Sequence, residues 1–352
     1  MPGAAIWAGG RLTMVPGSDN LRYDGAEADR RAIIHIGLPK TGTTTIQSFL
    51  ALNADGLKAR NIHTQNPADH PEWGRNFHAG AATVALSRNK VLYQNHLVRR
   101  SLGIETFDDQ AELAESFAKN YAAFVKQRGT GLYVMSGEPM FNTLKSPDLI
   151  RALDEFLAQF FGKRTYLVYL REQTDWVASS FSQAAGAGSD ISVEKIISNL
   201  TRESQSAQIQ KWDDMLPDAG FTLRLMHADR LKDADLLLDF CAEIGTSLDG
   251  LERPTNRNIG WSVPEIRILS AARKIGAFAS ARSLLVRARN YGLFRKAPKY
   301  RLTAQQAQKV RTLCAPSNET LRQRYFPHLT ALFPDPNQPQ DGTQPYPQEV
   351  ST

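Results

Sequence analysis

The segment Gly37-Leu-Pro-Lys-Thr-Gly-Thr-Thr-Thr45 follows a short β-branched run and precedes a helical pattern. Gly37 and Gly42 have the spacing of a phosphate-binding loop. Glycines let backbone N–H groups converge on an anion, and the N-terminus of the next helix adds its dipole. Thr43, Thr44 and Thr45 put hydroxyl donors into the first turn. A nucleoside-triphosphatase loop carries its lysine directly after the second glycine. Here Thr43 holds that place, and the lysine comes earlier, as Lys40. Neither of the next two strand ends offers a good magnesium-binding aspartate: one runs into Ser136-Gly-Glu138, the other stops at Arg171. A cation at a strand tip repels a metal and attracts another anion. The expectation is a loop that holds a phosphate through residues 40–45 with no obligatory metal.

These groups need strands that end together. Arg31 to Gly37 reads as a buried strand, followed by a helix from Thr43 to about Arg60. Residues 65–80 read as loop, and Asp108 to Arg128 as a long helix with Leu113, Phe117, Tyr121 and Phe124 at helical spacing. Gly131 to Met135 is a second strand, Pro147 to Phe161 a helix, and Arg164 to Leu170 a third strand feeding a helix from about Thr174. Helix over Gln205–Leu216, strand over Phe221–Met226 and helix over Asp235–Ile244 follow, and after Pro264 the pattern is helical to about Tyr325. Alternation of this kind implies an α/β fold of the P-loop type: three layers, a central and mostly parallel sheet between helices, and a helical C-terminal region. Ligands of such sheets sit outside the carboxyl ends of the strands.

The 352 residues, 42% hydrophobic and 22% charged, suit a soluble globular chain and exclude collagenous, coiled-coil and mostly disordered classes. Residues 1–30 read as a disordered leader, 31–325 as a single domain, and 326–352 as a disordered Pro- and Gln-rich tail. Cys241 and Cys314 are too few for a disulfide framework or a cysteine zinc site and read as buried thiols. With no signal peptide and no membrane-length apolar run, a cytoplasmic location is expected. The charge is unevenly spread: residues 253–301 carry +11 and the rest −5. That basic region is expected to meet an anionic polymer or the inner membrane face, or to be a solvated helix face, with no specific nucleic acid implied.

The loop His35-Ile-Gly-Leu-Pro-Lys-Thr-Gly-Thr-Thr44 resembles the 5′-phosphosulfate loop of sulfotransferases that use 3′-phosphoadenosine 5′-phosphosulfate (PAPS). The resemblance implies that the loop holds the 5′-phosphate, through Lys40, Thr41, Gly42, Thr43, Thr44 and Thr45. It also implies that Lys40 stabilises charge moving onto the leaving phosphate, with PAPS as co-substrate and no metal. Tyr169-Leu-Arg171-Glu-Gln-Thr-Asp-Trp-Val-Ala-Ser179 is similar to the family's 3′-phosphate motif, with Arg171 and Ser179 as the grip. Glu172-Gln173 replaces the proline of many relatives, and Arg171 could instead pair with Glu172 or Asp175. Tyr133 to Pro139, Lys211-Trp-Asp213 and Asp239 to Gly245 resemble a bacterial, carbohydrate-sulfating branch.

Sulfuryl transfer to an alcohol needs a base for the hydroxyl proton. Glu138, just past the second strand, is the first candidate, with a capping role for the Ser136-Gly137 turn as the structural reading. His78 is the second candidate, as base or acceptor contact, while His35 reads as a buried strand residue. Arg257 and Asn258, in a turn-rich stretch before a helix, are candidate contacts to the nucleotide. The resemblance implies a hydroxyl-bearing acceptor, a glycan for preference. The competing functions are a P-loop small-molecule kinase using ATP and a non-catalytic polyanion-binding protein.

Overall fold

The computed structural model describes residues 29–66, 78–200, 205–255, 260–294 and 296–334. Five strands form one sheet: β1 (Arg30–Ile36), β2 (Ile62–His63), β3 (Gly131–Gly137), β4 (Lys163–Arg171) and β5 (Gly220–Met226). Their order is β2-β3-β1-β4-β5, and every pairing is parallel. Between the first two strands lie α1 (Thr43–Leu52) and α2 (Ala54–Lys58). Next come α3 (Ala79–Arg88), α4 (His96–Ser101) and α5 (Phe107–Arg128), then α6 (Glu138–Thr143) and α7 (Pro147–Ala158). After β4 come α8 (Gln173–Gly186), α9 (Val193–Leu200) and α10 (Gln205–Asp214). After β5 follow α11 (Leu236–Glu243), α12 (Val263–Lys274), α13 (Phe278–Asn290) and α14 (Ala304–Tyr325).

Strand alternation splits the core cleanly. Ala32, Ile34 and Ile36 of β1, Tyr133 and Met135 of β3, and Tyr166, Val168 and Leu170 of β4 pack with α3, α5, α7 and α10 on one face. Ile33, Val134, Leu167 and Tyr169 pack with α1, α2 and α11 on the other. Helices therefore cover both faces of a parallel sheet, as its β-branched strands require.

Several elements differ from the sequence-based expectation. The helix expected over 43–60 breaks at Asn53, whose amide bonds Phe49 O and also Glu252 O and Glu252 N. The region after Pro264 is not continuously helical. Residues 291–303 turn at Gly292 (φ 81°) and run back to the start of α12, where Ser262 pairs with Lys299 and Val263 N–H donates to Pro298 O. Residues 326–334, assigned to a tail, instead pack on the domain: Leu332 is buried, Leu329 and Phe333 lie against the core, and Arg322 donates to Leu329 O at 2.7 Å. Both cysteines are buried, and burial pushes each thiol up to about 11. Among the described residues no helix is long and apolar enough to cross a membrane.

Asp239, in α11, is fully buried and gathers the far edge of the sheet. It accepts from Tyr169 Oη (2.9 Å), Arg224 Nε (3.1 Å) and the Lys232 backbone N–H (3.0 Å), and it pairs with Arg224 Nη2. Glu243, 3.2 Å from Arg224 Nε, would still face the arginine, but removing Asp239 strips Arg224, Tyr169 Oη and the Lys232 N–H of their shared buried acceptor. Asp239→Ala is therefore expected to cost about 3–5 kcal/mol, read from urea unfolding midpoints. A loss below 1 kcal/mol would show that Arg224 finds water instead (~1 kcal/mol being ordinary for a surface change).

Candidate functional site

β1 is the central strand, and chain connections leave it and β4 in opposite directions: β1 leads toward β2 on one side, β4 toward β5 on the other. The crevice at the carboxyl ends of β1 and β4 is thus a switch point, where ligands of open parallel sheets bind. Three sequence-predicted groups meet there: the loop after β1, Glu138 after β3, and Arg171 at the end of β4.

The loop's hydrogen bonds show which way it faces. Leu38 O accepts from the hydroxyls of Thr41 (2.6 Å) and Thr43 (3.4 Å). Pro39 O accepts from the Trp176 indole N–H at 3.0 Å, and Lys40 O from Arg171 Nη1 at 3.4 Å. Three consecutive carbonyls are therefore turned onto protein donors. The backbone N–H groups of Lys40, Thr41, Gly42, Thr43 and Thr44 donate to no acceptor among the described residues. This run therefore presents a set of unpaired backbone donors at the start of α1, the kind of arrangement that suits an anion. Lys40 (φ 68°) and Gly42 (φ 81°) both adopt left-handed backbone to make it. At Gly37 a Cβ would come within 2.5 Å of the Thr43 side chain, so glycine is needed for the loop to close.

This geometry sorts the six loop residues. Thr41 and Thr43 are buried, and their hydroxyls brace the loop; what they offer a ligand is backbone N–H. Thr44 is exposed and Thr45 half-buried, so hydroxyls for an anion come from these two.

The charges interact. Burial lowers the Lys40 ammonium below the usual lysine value, Glu138 raises it, and Arg171 lowers it further. Burial pushes the Glu138 carboxyl above its usual value, and the Lys40 charge holds it down in part. Lys40, Glu138 and Arg171 therefore share one partly dehydrated crevice. Glu138 opens α6, and its Cα lies 3.1 Å from where a Cβ on Gly37 would be. Among the described residues its carboxylate makes no bond to the Ser136-Gly137 turn; Gly137 O accepts from Gly37 N–H at 3.2 Å. Arg171 reaches Asp175 at 3.4 Å, as one sequence reading allowed, but Asp175 is exposed. Glu172 caps α8, accepting from Asp175 N–H at 3.0 Å and from the Thr174 hydroxyl, so it serves the helix start that proline serves in the resembled motif.

His78 bonds the strand that leads to Glu138. Its ring is buried at the start of α3, with Nδ1 2.9 Å from Ser136 O and 3.1 Å from Ser136 N, and burial lowers its pKa to about 4. It is a neutral brace on β3, bonded two residues before Glu138. His35 is buried as expected, bonded through Nδ1 to Ser136 Oγ at 2.8 Å and lowered to about 3 by burial. Gln47 of α1 adds a third tie, donating to Ser136 O at 3.0 Å. Sequence reasoning missed Gln47 and Trp176. Gln47 sits one helical turn beyond Thr43, which is the one local signal it carries.

Ser179 lies two turns into α8, half-buried, with no side-chain hydrogen bond among the described residues. It shares a helix face with Ser182 and Gly186. Ser182 donates to Trp261 O at 3.1 Å, and the Trp261 indole covers Gly186, where a Cβ would fall 1.7 Å from Nε1. The 260–262 segment thus runs along the Ser179 face of α8. Arg289 stacks on Trp261 at 3.9 Å and pairs with the buried Glu265, fixing this segment in place. Arg257 and Asn258 lie outside the described residues.

Comparison of the chain with protein-family models, curated proteins and solved structures found no match.

Proposed function

We propose that this chain is a PAPS-dependent sulfotransferase acting on a hydroxyl of an acceptor, a carbohydrate by its resemblance. The contact of Arg171 Nη1 with Lys40 O carries the reading. It brings two cations from separate strand ends, about 130 residues apart in sequence, into one crevice, as a doubly phosphorylated adenosine demands. The displaced lysine, the nest of five N–H groups and the inward Thr43 hydroxyl support a P-loop-type fold adapted to a phosphosulfate rather than to a magnesium triphosphate.

The residues fit such a donor. The nest with Thr44 and Thr45 would hold its 5′-phosphate, Arg171 and Ser179 its 3′-phosphate. When bound, the donor supplies the sulfuryl group: the acceptor oxygen–sulfur bond forms as the bridging sulfur–oxygen bond breaks. Glu138 takes the acceptor's hydroxyl proton on its carboxylate. Lys40, half stripped of water, places positive charge where negative charge accumulates on the bridging oxygen.

Binding tests the assignment. Calorimetry in the presence of a chelator should show adenosine 3′,5′-bisphosphate binding about 10- to 150-fold tighter than AMP, the worth of one charge-assisted clamp. Equal affinities would remove the role given to Arg171 and Ser179. Magnesium-dependent ATP turnover would favour the kinase instead. A labelled-donor screen across candidate glycans then tests the acceptor class.

Glu138 also predicts a pH profile. A base must be deprotonated, so kcat/KM rises with pH through the Glu138 pKa, which burial places above the ordinary carboxylate value. Glu138→Gln should lose that acid limb and roughly 10²–10⁴ of the rate. The stability sign is opposite. A carboxyl with a raised folded pKa destabilises the fold once pH exceeds that pKa, so Glu138→Gln should melt no lower than the parent at neutral pH. An unchanged acid limb in Glu138→Gln would assign the base elsewhere.

A further inference from the structure

We infer that α13 and the turn before it dock on an anionic lipid bilayer, an inference independent of the nucleotide assignment. From Ile266 to Asn318 the sequence contains no Asp or Glu, against twelve Lys and Arg. Within that run α13 buries a single residue, Leu285, although a surface helix ordinarily buries a whole apolar stripe. Phe278 is half-buried against Gly188, but other large apolar groups of α13 and its flanking turns face outward: Leu284 is 68% exposed, Tyr291 87% and Leu293 59%, and Ile275 in the turn before α13 is 80% exposed. Leu284, Arg287 and Tyr291 follow one another at three- and four-residue spacing, so they share one helix face.

Two cations on this surface are not neutralised internally. Lys274 and Arg287 are exposed and form no ion pair among the described residues, whereas Arg273 pairs with Asp190 and Arg289 with Glu265. Aliphatic side chains interleaved with unpaired Lys and Arg, plus a tyrosine at the helix end, match the headgroup–acyl boundary of an anionic leaflet. A soluble polyanion would engage the cations and leave Ile275, Leu284 and Leu293 in water. A second copy would set one acid-free surface against another, like charge on like. Charge complementarity and the exposed apolar groups together select the bilayer.

Vesicle flotation of the full chain tests this. Wild-type protein should float with phosphatidylcholine–phosphatidylglycerol vesicles at least about tenfold better than with phosphatidylcholine alone, and lose that binding in high salt. Lys274→Glu with Arg287→Glu, and separately Ile275→Ser with Leu284→Ser, should each reduce flotation about tenfold or more. All four positions are exposed, and unchanged melting confirms the fold. The inference is overturned if the full chain does not float. It is equally overturned if the serine pair binds vesicles as wild type while heparin or RNA competes, which marks a polyanion site. Concentration-dependent dimers abolished by the serine pair, with no vesicle binding, would mark a homodimer surface.

Discussion

Lys40→Ala is expected to lower sulfuryl transfer by about 10³-fold while leaving the fold intact. Removing one preorganised donor from a developing oxyanion costs about 10²–10³ in rate, and here the donor also carries a full charge in a crevice that excludes much of the water. The loss should fall on kcat, because the five backbone N–H groups proposed to hold the phosphate do not depend on the side chain. The backbone gives an independent readout. Lys40 sits at φ 68°, a region that costs an L-residue about 1–2 kcal/mol. Lys40→Gly relieves this strain yet removes the ammonium. It should be as inactive as the alanine variant while melting at the same temperature or higher. Removing the Lys40 charge also lets the Glu138 pKa climb, since that charge holds it down. Carboxyl titration by NMR should show the rise. Substantial turnover in either variant would take lysine out of the mechanism.

The strands that carry the site were legible in the sequence because each is a short, mainly apolar run between helical patterns or turns. β1, β3, β4 and β5 fall within one or two residues of expectation. The loop, Glu138 and Arg171 were legible too, since glycine spacing and strand-end charge are local features. What stayed hidden was non-local or lacked periodicity. Helix α3 is Ala-Gly-Ala-Ala-Thr-Val-Ala-Leu-Ser-Arg, and its first eight residues are all buried. A helix apolar on every side shows no amphipathic stripe to detect. β2 spans two residues and α6 six, below the window in which any period registers. His78 braces Ser136 across 58 residues, and Trp176 fixes Pro39 O across 137, so neither contact leaves a trace in local sequence. The basic region hid its break for a different reason. Residues 291–303 leave the helix to pair with the start of α12, a tertiary demand that overrides helical propensity.

Arg171→Ala should erase the preference for adenosine 3′,5′-bisphosphate over AMP, leaving a ratio near one. The guanidinium is available for a ligand because its two protein contacts are weak: both are 3.4 Å, and the Asp175 partner is exposed. An exposed pair of this kind contributes about 0–1 kcal/mol, less than a phosphate would in the same fork, where charge-assisted bonds contribute about 1.5–3 kcal/mol. Arg171→Lys keeps the charge but loses the planar fork, so it should recover only part of the ratio. Asp175→Asn removes the competing carboxylate and should hold the ratio or raise it. AMP affinity should change little in Asp175→Asn, and fall modestly in Arg171→Ala because Lys40 O loses its anchor. Titrations of these three variants separate a ligand clamp from a structural ion pair. If Asp175→Asn collapses the ratio as fully as Arg171→Ala does, the arginine acts through its carboxylate partner, and the 3′-phosphate must be held by another group.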